Sequence, residues 1–64
     1  MTRNQAIDKA VSAARKAKQE MFIVYENDGF EYCNAEELRE FYFGSTVYAV
    51  ITEAGEMMHA NEGR

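Results

Sequence analysis

Residues 21–33 read MFIVYENDGFEYC, and this stretch predicts the β-hairpin on which the rest of the fold depends. Its two arms are rich in β-branched and aromatic residues, which strands prefer. Between the arms, Asn27, Asp28 and Gly29 are all residues that favour turns. We therefore expect a hairpin over about 21–33.

The sequence is compatible with two registers of this hairpin. A two-residue turn at Asp28 and Gly29 would set Glu26 directly opposite Glu31, and like charges in such a pair destabilise a sheet. A three-residue loop with Gly29 in the left-handed conformation would instead pair Glu26 with Phe30. The second register avoids the repulsion, so it is the one we expect.

A second hairpin is predicted over about 46–60, where the sequence reads TVYAVITEAGEMMHA. The first seven of these residues form the strongest strand pattern in the chain. Glu53, Ala54 and Gly55 then make a three-residue turn that ends in glycine, after which a shorter strand returns. The tail, 61–64, should fray, as chain ends do.

Two helices are predicted, and each begins with a capping pattern. Thr2 and Gln5 form the first capping box, which opens a helix over about 3–19 with an apolar face made mostly of alanine. Asn34 and Glu37 form the second, which opens a helix over about 35–43. We expect Gly44 to end this second helix in a left-handed conformation.

These elements predict a small single α+β domain spanning 1–64, with the order α-β-β-α-β-β. We expect a mostly antiparallel four-stranded sheet with both helices packed on one face, because the helices and the sheet must bury their apolar sides against each other. The other face of the sheet would then be open to water or to a partner.

The composition limits the chemistry that the chain can perform. It has 64 residues, no proline and 47% hydrophobic residues, which is typical of an ordered domain. Cys33 is the only cysteine and His59 the only histidine. An internal disulfide is therefore excluded, and neither a zinc site with the usual four ligands nor any other cofactor is expected.

A catalytic role is not predicted either. Cys33 comes just before a helix N-terminus, where a thiolate is favoured, and a cysteine with a histidine can act as nucleophile and base. Nothing in the sequence places His59 near it, however, and a lone cysteine in a strand is usually a small buried hydrophobe. Because no glycine-rich phosphate loop or other catalytic motif is present, we expect a protein that is not an enzyme.

The first residues of the sequence are not expected to form a signal peptide. No apolar run follows a charged start, and no stretch approaches the roughly 18 apolar residues of a membrane span. A single cysteine is typical of a reducing compartment. We therefore expect a cytoplasmic protein that does not contact a membrane.

Charge is unevenly distributed along the chain, whose formal net charge is −4. Residues 1–19 carry five basic residues and one acid, a net charge of +4, whereas residues 20–64 carry two basic residues and ten acids, a net charge of −8. Lys9, Arg15 and Lys16 lie on the outer half of the first helix and form a secondary basic patch. This patch favours weak, salt-sensitive contact with nucleic acid, although the net charge argues against it.

The second helix is the strongest candidate for a binding site. Glu36, Glu37 and Glu40 share it with one basic residue, Arg39, so most of its charge is not neutralised. With Leu38 turned inward, Phe41 and Tyr42 are expected to flank it, and Phe43 should project beside the acids. An exposed aromatic ring within an acidic patch is typical of an interface anchor.

The function predicted from these features is that of a small non-enzymatic protein-binding module whose partner has a basic surface. An acidic patch complements basic grooves, which are common in proteins that handle nucleic acid. We expect an inhibitor or modulator of such a protein or of a defence protein, of the kind that small phage and accessory genes encode. The alternatives are a nucleic-acid-binding adaptor that uses the basic patch, and a structural homo-oligomer such as a homodimer.

Overall fold

The computed structural model describes residues 1–59. Its elements are α1 (Arg3–Ala17), β1 (Met21–Glu26), β2 (Gly29–Asn34), α2 (Ala35–Phe41), β3 (Thr46–Ile51) and β4 (Met57–His59). The predicted α+β class and the order α-β-β-α-β-β are confirmed. The predicted frayed tail, 61–64, and the last residue of the second hairpin lie outside the described residues.

The four strands form one antiparallel sheet in the order β2-β1-β3-β4. Both β2 and β3 pair with β1 in antiparallel fashion, so β2 and β3 run parallel to each other on either side of it. The segment between them, which contains α2, must therefore cross over β1. Consequently β1 is a central strand, and β2 and β4 are the two edges.

Helix α1 packs on the sheet through alanine. Ala6, Ala10 and Ala14 are fully buried and belong to one core cluster with residues of β1 and β3, among them Ile23 and Ile51. Such small side chains allow the helix axis to approach the strands closely, and alanine has the highest helix propensity. The helix ends at Ala17 rather than near 19, because the next residue adopts a left-handed conformation.

The first hairpin has neither of the registers considered from the sequence, so the expected one is wrong. Its turn consists of Asn27 and Asp28, which have φ values of 47° and 64°. Glu26 pairs with Gly29, and Tyr25 pairs with Phe30. A two-residue turn with both central residues at positive φ matches the right-handed twist of the strands, and Asn and Asp tolerate that conformation better than most residues.

The two helices lie on opposite faces of the sheet, which corrects the prediction that they share one face. Side chains alternate along β1, and Ile23 belongs to the core under α1, so Val24 points to the other face. Val24 is nonetheless 0% exposed, and Cys33 of β2, on that same face, is 1% exposed. They are covered by α2, whose contacts are with β1 and β2. The apolar run of β1 is that of a strand buried on both sides.

The helices cover the sheet unevenly. Both α1 and α2 contact β1 and β2, α1 also reaches β3, and neither packs on β4. The second hairpin therefore extends beyond the helical layers. Its turn has the three-residue form expected, since the Thr52 amide donates to the Glu56 carbonyl oxygen at 2.8 Å and Gly55 has a φ of 88°. Among residues 1–59, no helix has the length and apolar character needed to cross a membrane.

Candidate protein-binding surface

Helix α2 is fixed at its start by reciprocal hydrogen bonds. The Glu37 amide donates to Asn34 Oδ1 at 2.8 Å, and the Asn34 amide donates to Glu37 Oε1 at 3.0 Å. The predicted capping box is thus present, and it satisfies two amides that would otherwise lack a partner. The Glu37 carboxylate therefore has a structural role besides its charge.

The helix is shorter than predicted and presents a narrow apolar stripe. It ends at Phe41, two residues before the predicted end, with Gly44 at a φ of 91° in the loop that follows. Leu38 and Tyr42, four positions apart, are half-buried and face the sheet. Because the helix has only two turns, this one pair occupies the side that the sheet covers.

Two phenylalanines of this segment project into solvent. Phe43 is 89% exposed, which agrees with the outward position expected for it. Phe41 is 72% exposed, and the expectation that it would flank Leu38 inside is wrong. Phe41 lies about 60° around the helix from Leu38, on the side away from Tyr42, and so falls outside the stripe that meets the sheet.

The acidic side chains beside these rings are exposed and have no ion-pair partner among residues 1–59. This holds for Glu36, Glu37 and Glu40, since the one ion pair formed within that range joins the Met1 ammonium to Glu31 at 3.9 Å. No lysine of α1 neutralises them, because α1 lies on the other face of the sheet. We call the set Glu36, Glu37, Glu40, Phe41 and Phe43 the acidic–aromatic surface.

Tyr42 anchors this surface to the strands beneath it. Burial raises the pKa of its hydroxyl above the ordinary value, and the neighbouring carboxylate of Glu31 raises it further. The loop after the helix is held at Glu26, whose carboxylate accepts a 2.7 Å hydrogen bond from the Ser45 hydroxyl. The exposed phenylalanines therefore flank a residue that is fixed against the sheet.

Cys33 and His59 are not brought together. Cys33 is on the edge strand β2, on the face covered by α2, whereas His59 is on the opposite edge strand, where its ring meets Tyr48 edge to face at 5.1 Å. Burial and the nearby Glu37 carboxylate raise the pKa of the Cys33 thiol to about 11. Near neutral pH it is therefore a protonated, buried thiol.

The residues of the basic patch are all exposed, but they are not equally free. Arg15 Nε donates a 3.1 Å hydrogen bond to the carbonyl oxygen of Ala54 in the β3–β4 turn. The guanidinium also lies against Gly55, where an added Cβ would collide with it. Lys9 and Lys16 lie on the outer side of α1 and form no such contact with the rest of residues 1–59.

The exposure of Phe41 was not predicted from the sequence, because the predicted second helix had nine residues. A helix of two turns can bury one pair of residues spaced by four, and in α2 this pair is Leu38 and Tyr42. The spacing of Leu38 and Tyr42 could have predicted the exposure of Phe41, because it places Phe41 at the side of the buried stripe. Helical spacing places Glu36 and Glu40 on the side away from Leu38. Glu37 is at the helix start, where its carboxylate caps Asn34, and Phe43 lies in the loop after the helix.

Comparison of the chain with protein-family models, with curated proteins and with solved structures gives no match. Within residues 1–59 no pocket opens, and no group of three or more His, Cys, Asp or Glu residues is placed to hold a metal ion. The functional interpretation therefore depends on the geometry of the exposed surface.

Proposed function

We propose that this chain is a non-enzymatic protein-binding module that binds its partner through the acidic–aromatic surface. The observation that carries the proposal is the exposure of Phe41 and Phe43, at 72% and 89%, beside carboxylates without ion-pair partners in the described chain. A large aromatic side chain exposed to water would gain free energy if a partner covered it. Two exposed aromatic side chains on one short segment are typical of a binding site.

The energy available from the two rings is enough to anchor a complex. Moving a fully exposed phenylalanine into an apolar pocket contributes about 1.5–3 kcal/mol. Anchors of this kind, surrounded by polar contacts, carry most of the binding energy in protein interfaces. Phe41 and Phe43 would fill pockets in the partner, and the carboxylates around them would form the rim.

The charges define the kind of partner. Glu36 and Glu40 are exposed and not engaged in the helix cap, so their charge is available to a basic surface. Complementary charge steers association and disfavours acidic partners. Basic grooves are common in proteins that bind nucleic acid. The proposal is therefore an inhibitor or modulator that covers the basic surface of a nucleic-acid-handling or defence protein, as products of small phage and accessory genes do.

The test is affinity capture from cell lysate with the intact chain as bait, read by quantitative mass spectrometry. We expect basic proteins to be recovered by the wild type and lost with Phe41→Ala/Phe43→Ala, and their capture to weaken as salt is raised. The same loss is expected for Glu36→Lys/Glu40→Lys.

A matched control keeps the second comparison specific. The double variant Glu53→Lys/Glu56→Lys changes the net charge by the same amount, at exposed positions of the β3–β4 turn. It should recover the same proteins as the wild type. Equal recovery by all of the variants would remove the proposal, and equal loss in the control would reduce it to an effect of net charge.

The alternative, a nucleic-acid-binding adaptor on Lys9, Arg15 and Lys16, is the weaker proposal. The hydrogen bond from Arg15 to the β3–β4 turn leaves fewer free cations for phosphate. Nucleic-acid binders depend on several such contacts, and their affinity falls steeply with salt. Titration with DNA and RNA at low ionic strength separates the two, since the adaptor must bind there and the protein-binding module need not.

A further inference from the structure

The two edges of the sheet differ in how their backbone is satisfied. At the β2 edge, the Phe30 amide donates to the Met1 carbonyl oxygen at 3.0 Å, and the Asn34 amide donates to the Glu37 carboxylate at 3.0 Å. Both ends of β2 are therefore protected by groups of the same chain. An edge protected in this way is a poor template for another strand.

The β4 edge has no such protection among residues 1–59. Hydrogen-bonded and non-hydrogen-bonded pairs alternate in an antiparallel ladder. Thr52 and Glu56 form a hydrogen-bonded pair, so the next hydrogen-bonded pair along the ladder is Val50 and Met58. The N–H and C=O groups of Met58 therefore point to β3, and those of Met57 and His59 point outward. No described strand pairs with that side, so two N–H and two C=O groups are presented together.

We infer that the occupant of this edge is a second copy of the same chain, paired antiparallel about a twofold axis at Met58. In that register, Met57 of each copy lies opposite His59 of the other, and all outward groups of both three-residue strands are used. Four backbone hydrogen bonds would form. A one-residue slip would set inward groups against outward ones, so the pattern is complementary to itself.

The charge distribution permits this contact. Each copy has a net charge of −4, which opposes association in general. The strands β3 and β4, however, contain no Asp, Glu, Lys or Arg residue. Two copies that meet along β4 therefore bring no charged side chain of these two strands against one another.

Apolar burial adds to the backbone pairing. Met58 pairs with Val50 and projects on the face where α2 stops short of β3 and β4, and its side chain is 54% exposed. The twofold axis places the two Met58 side chains in a close, non-hydrogen-bonded pair. A 64-residue chain with a small core is the kind of domain that gains from such an association.

Sedimentation velocity over a wide range of protein concentration tests the inference. We expect the average mass of the wild type to rise from 7.3 kDa towards twice that value as concentration increases. Met57→Pro should abolish the rise, since it removes an outward donor without taking a hydrogen bond from β3. Circular dichroism checks that the variant remains folded.

A charge pair at the axis gives the decisive result. Met58→Lys and Met58→Glu should each be monomeric, because like charges would face each other at the axis, and an equimolar mixture of the two should form a heterodimer. The variant Phe41→Ala/Phe43→Ala should dimerise as the wild type does, so failure of this inference is distinguishable from failure of the proposed function. A monomeric wild type, a dimer that survives Met57→Pro, or a mixture that stays monomeric would overturn the inference.

Discussion

Arg15 and Ala54 are 39 positions apart in the chain, and a 3.1 Å hydrogen bond from the guanidinium Nε to the carbonyl oxygen joins them. This contact links the last turn of α1 to the β3–β4 turn. Because neither helix packs on β4, the contact is one of the connections between the helical layers and the second hairpin. It gives an exposed arginine a measurable role in stability.

Replacement of Arg15 by alanine is expected to lower the free energy of unfolding by about 1 kcal/mol, the usual net value of one such hydrogen bond. Urea denaturation followed by circular dichroism measures the effect. Lys16→Ala is the matched control, since it removes a neighbouring exposed cation and should change stability by no more than about 0.5 kcal/mol. Equal effects of the two variants would show that the hydrogen bond contributes nothing.

The cap of α2 gives a second prediction. Asn34→Ala removes the side-chain acceptor for the Glu37 amide and should cost about 1 kcal/mol of stability. Glu36→Ala, at the adjacent exposed position, should cost much less, because its side chain has no part in the cap. Thermal unfolding of the two variants compares them. If Glu36→Ala were the more damaging, the capping box would not be what fixes the helix.

The turn of the first hairpin can be improved. Asp28 has a φ of 64°, a conformation that glycine adopts without strain, and Asn-Gly is the preferred pair for such a turn. Asp28→Gly should therefore raise the free energy of unfolding, by about 0.5 kcal/mol. Asp28→Val should lower it by about 1–2 kcal/mol, because a β-branched residue is strained there. The opposite order in denaturation experiments would contradict the observed turn.

The buried thiol predicts a dependence of stability on alkaline pH. The pKa of Cys33 is raised from 9.0 to about 11 in the folded chain, so the folded state holds the proton more tightly than the unfolded state. Stability that this group contributes is complete below pH 9 and is lost as the pH rises from 9 towards about 11.

The measurement is the difference in unfolding free energy between the wild type and Cys33→Ala at several pH values. The alanine variant should be less stable at neutral pH, because a buried side chain has been reduced. That deficit should shrink as the pH rises above 9. A deficit that stays constant up to pH 11 would show that the thiol ionises as it does in the unfolded chain.

The class and order of the fold follow from local signals that the structure retains. Thr2 with Gln5 and Asn34 with Glu37 specify where the helices begin, and both capping boxes are formed. Such signals need only neighbouring residues, so they can be read from a sequence. They do not specify which side of a sheet a helix will cover.

The wrong predictions concern the hairpin turn, the face of the sheet that α2 covers and the exposure of Phe41. Composition alone did not separate a turn at Asn27 and Asp28 from one that uses Gly29, because all three residues favour turns. Val24 is buried on the face that α2 covers, and this burial shows only in the folded sheet. The exposure of Phe41 follows from that packing, while the outward position of Phe43 was predicted from helical spacing relative to Leu38.

Strand β1 lies between two neighbouring strands and beneath a helix on each face, so its amides can meet solvent only when the whole domain opens. In hydrogen–deuterium exchange, Ile23 and Val24 should therefore report the global unfolding free energy. The amides at the rim of β4 should exchange by local opening, without involving the rest of the sheet. The strands with the slowest and the fastest amide exchange, β1 and β4, would then lie in the same small sheet with only β3 between them.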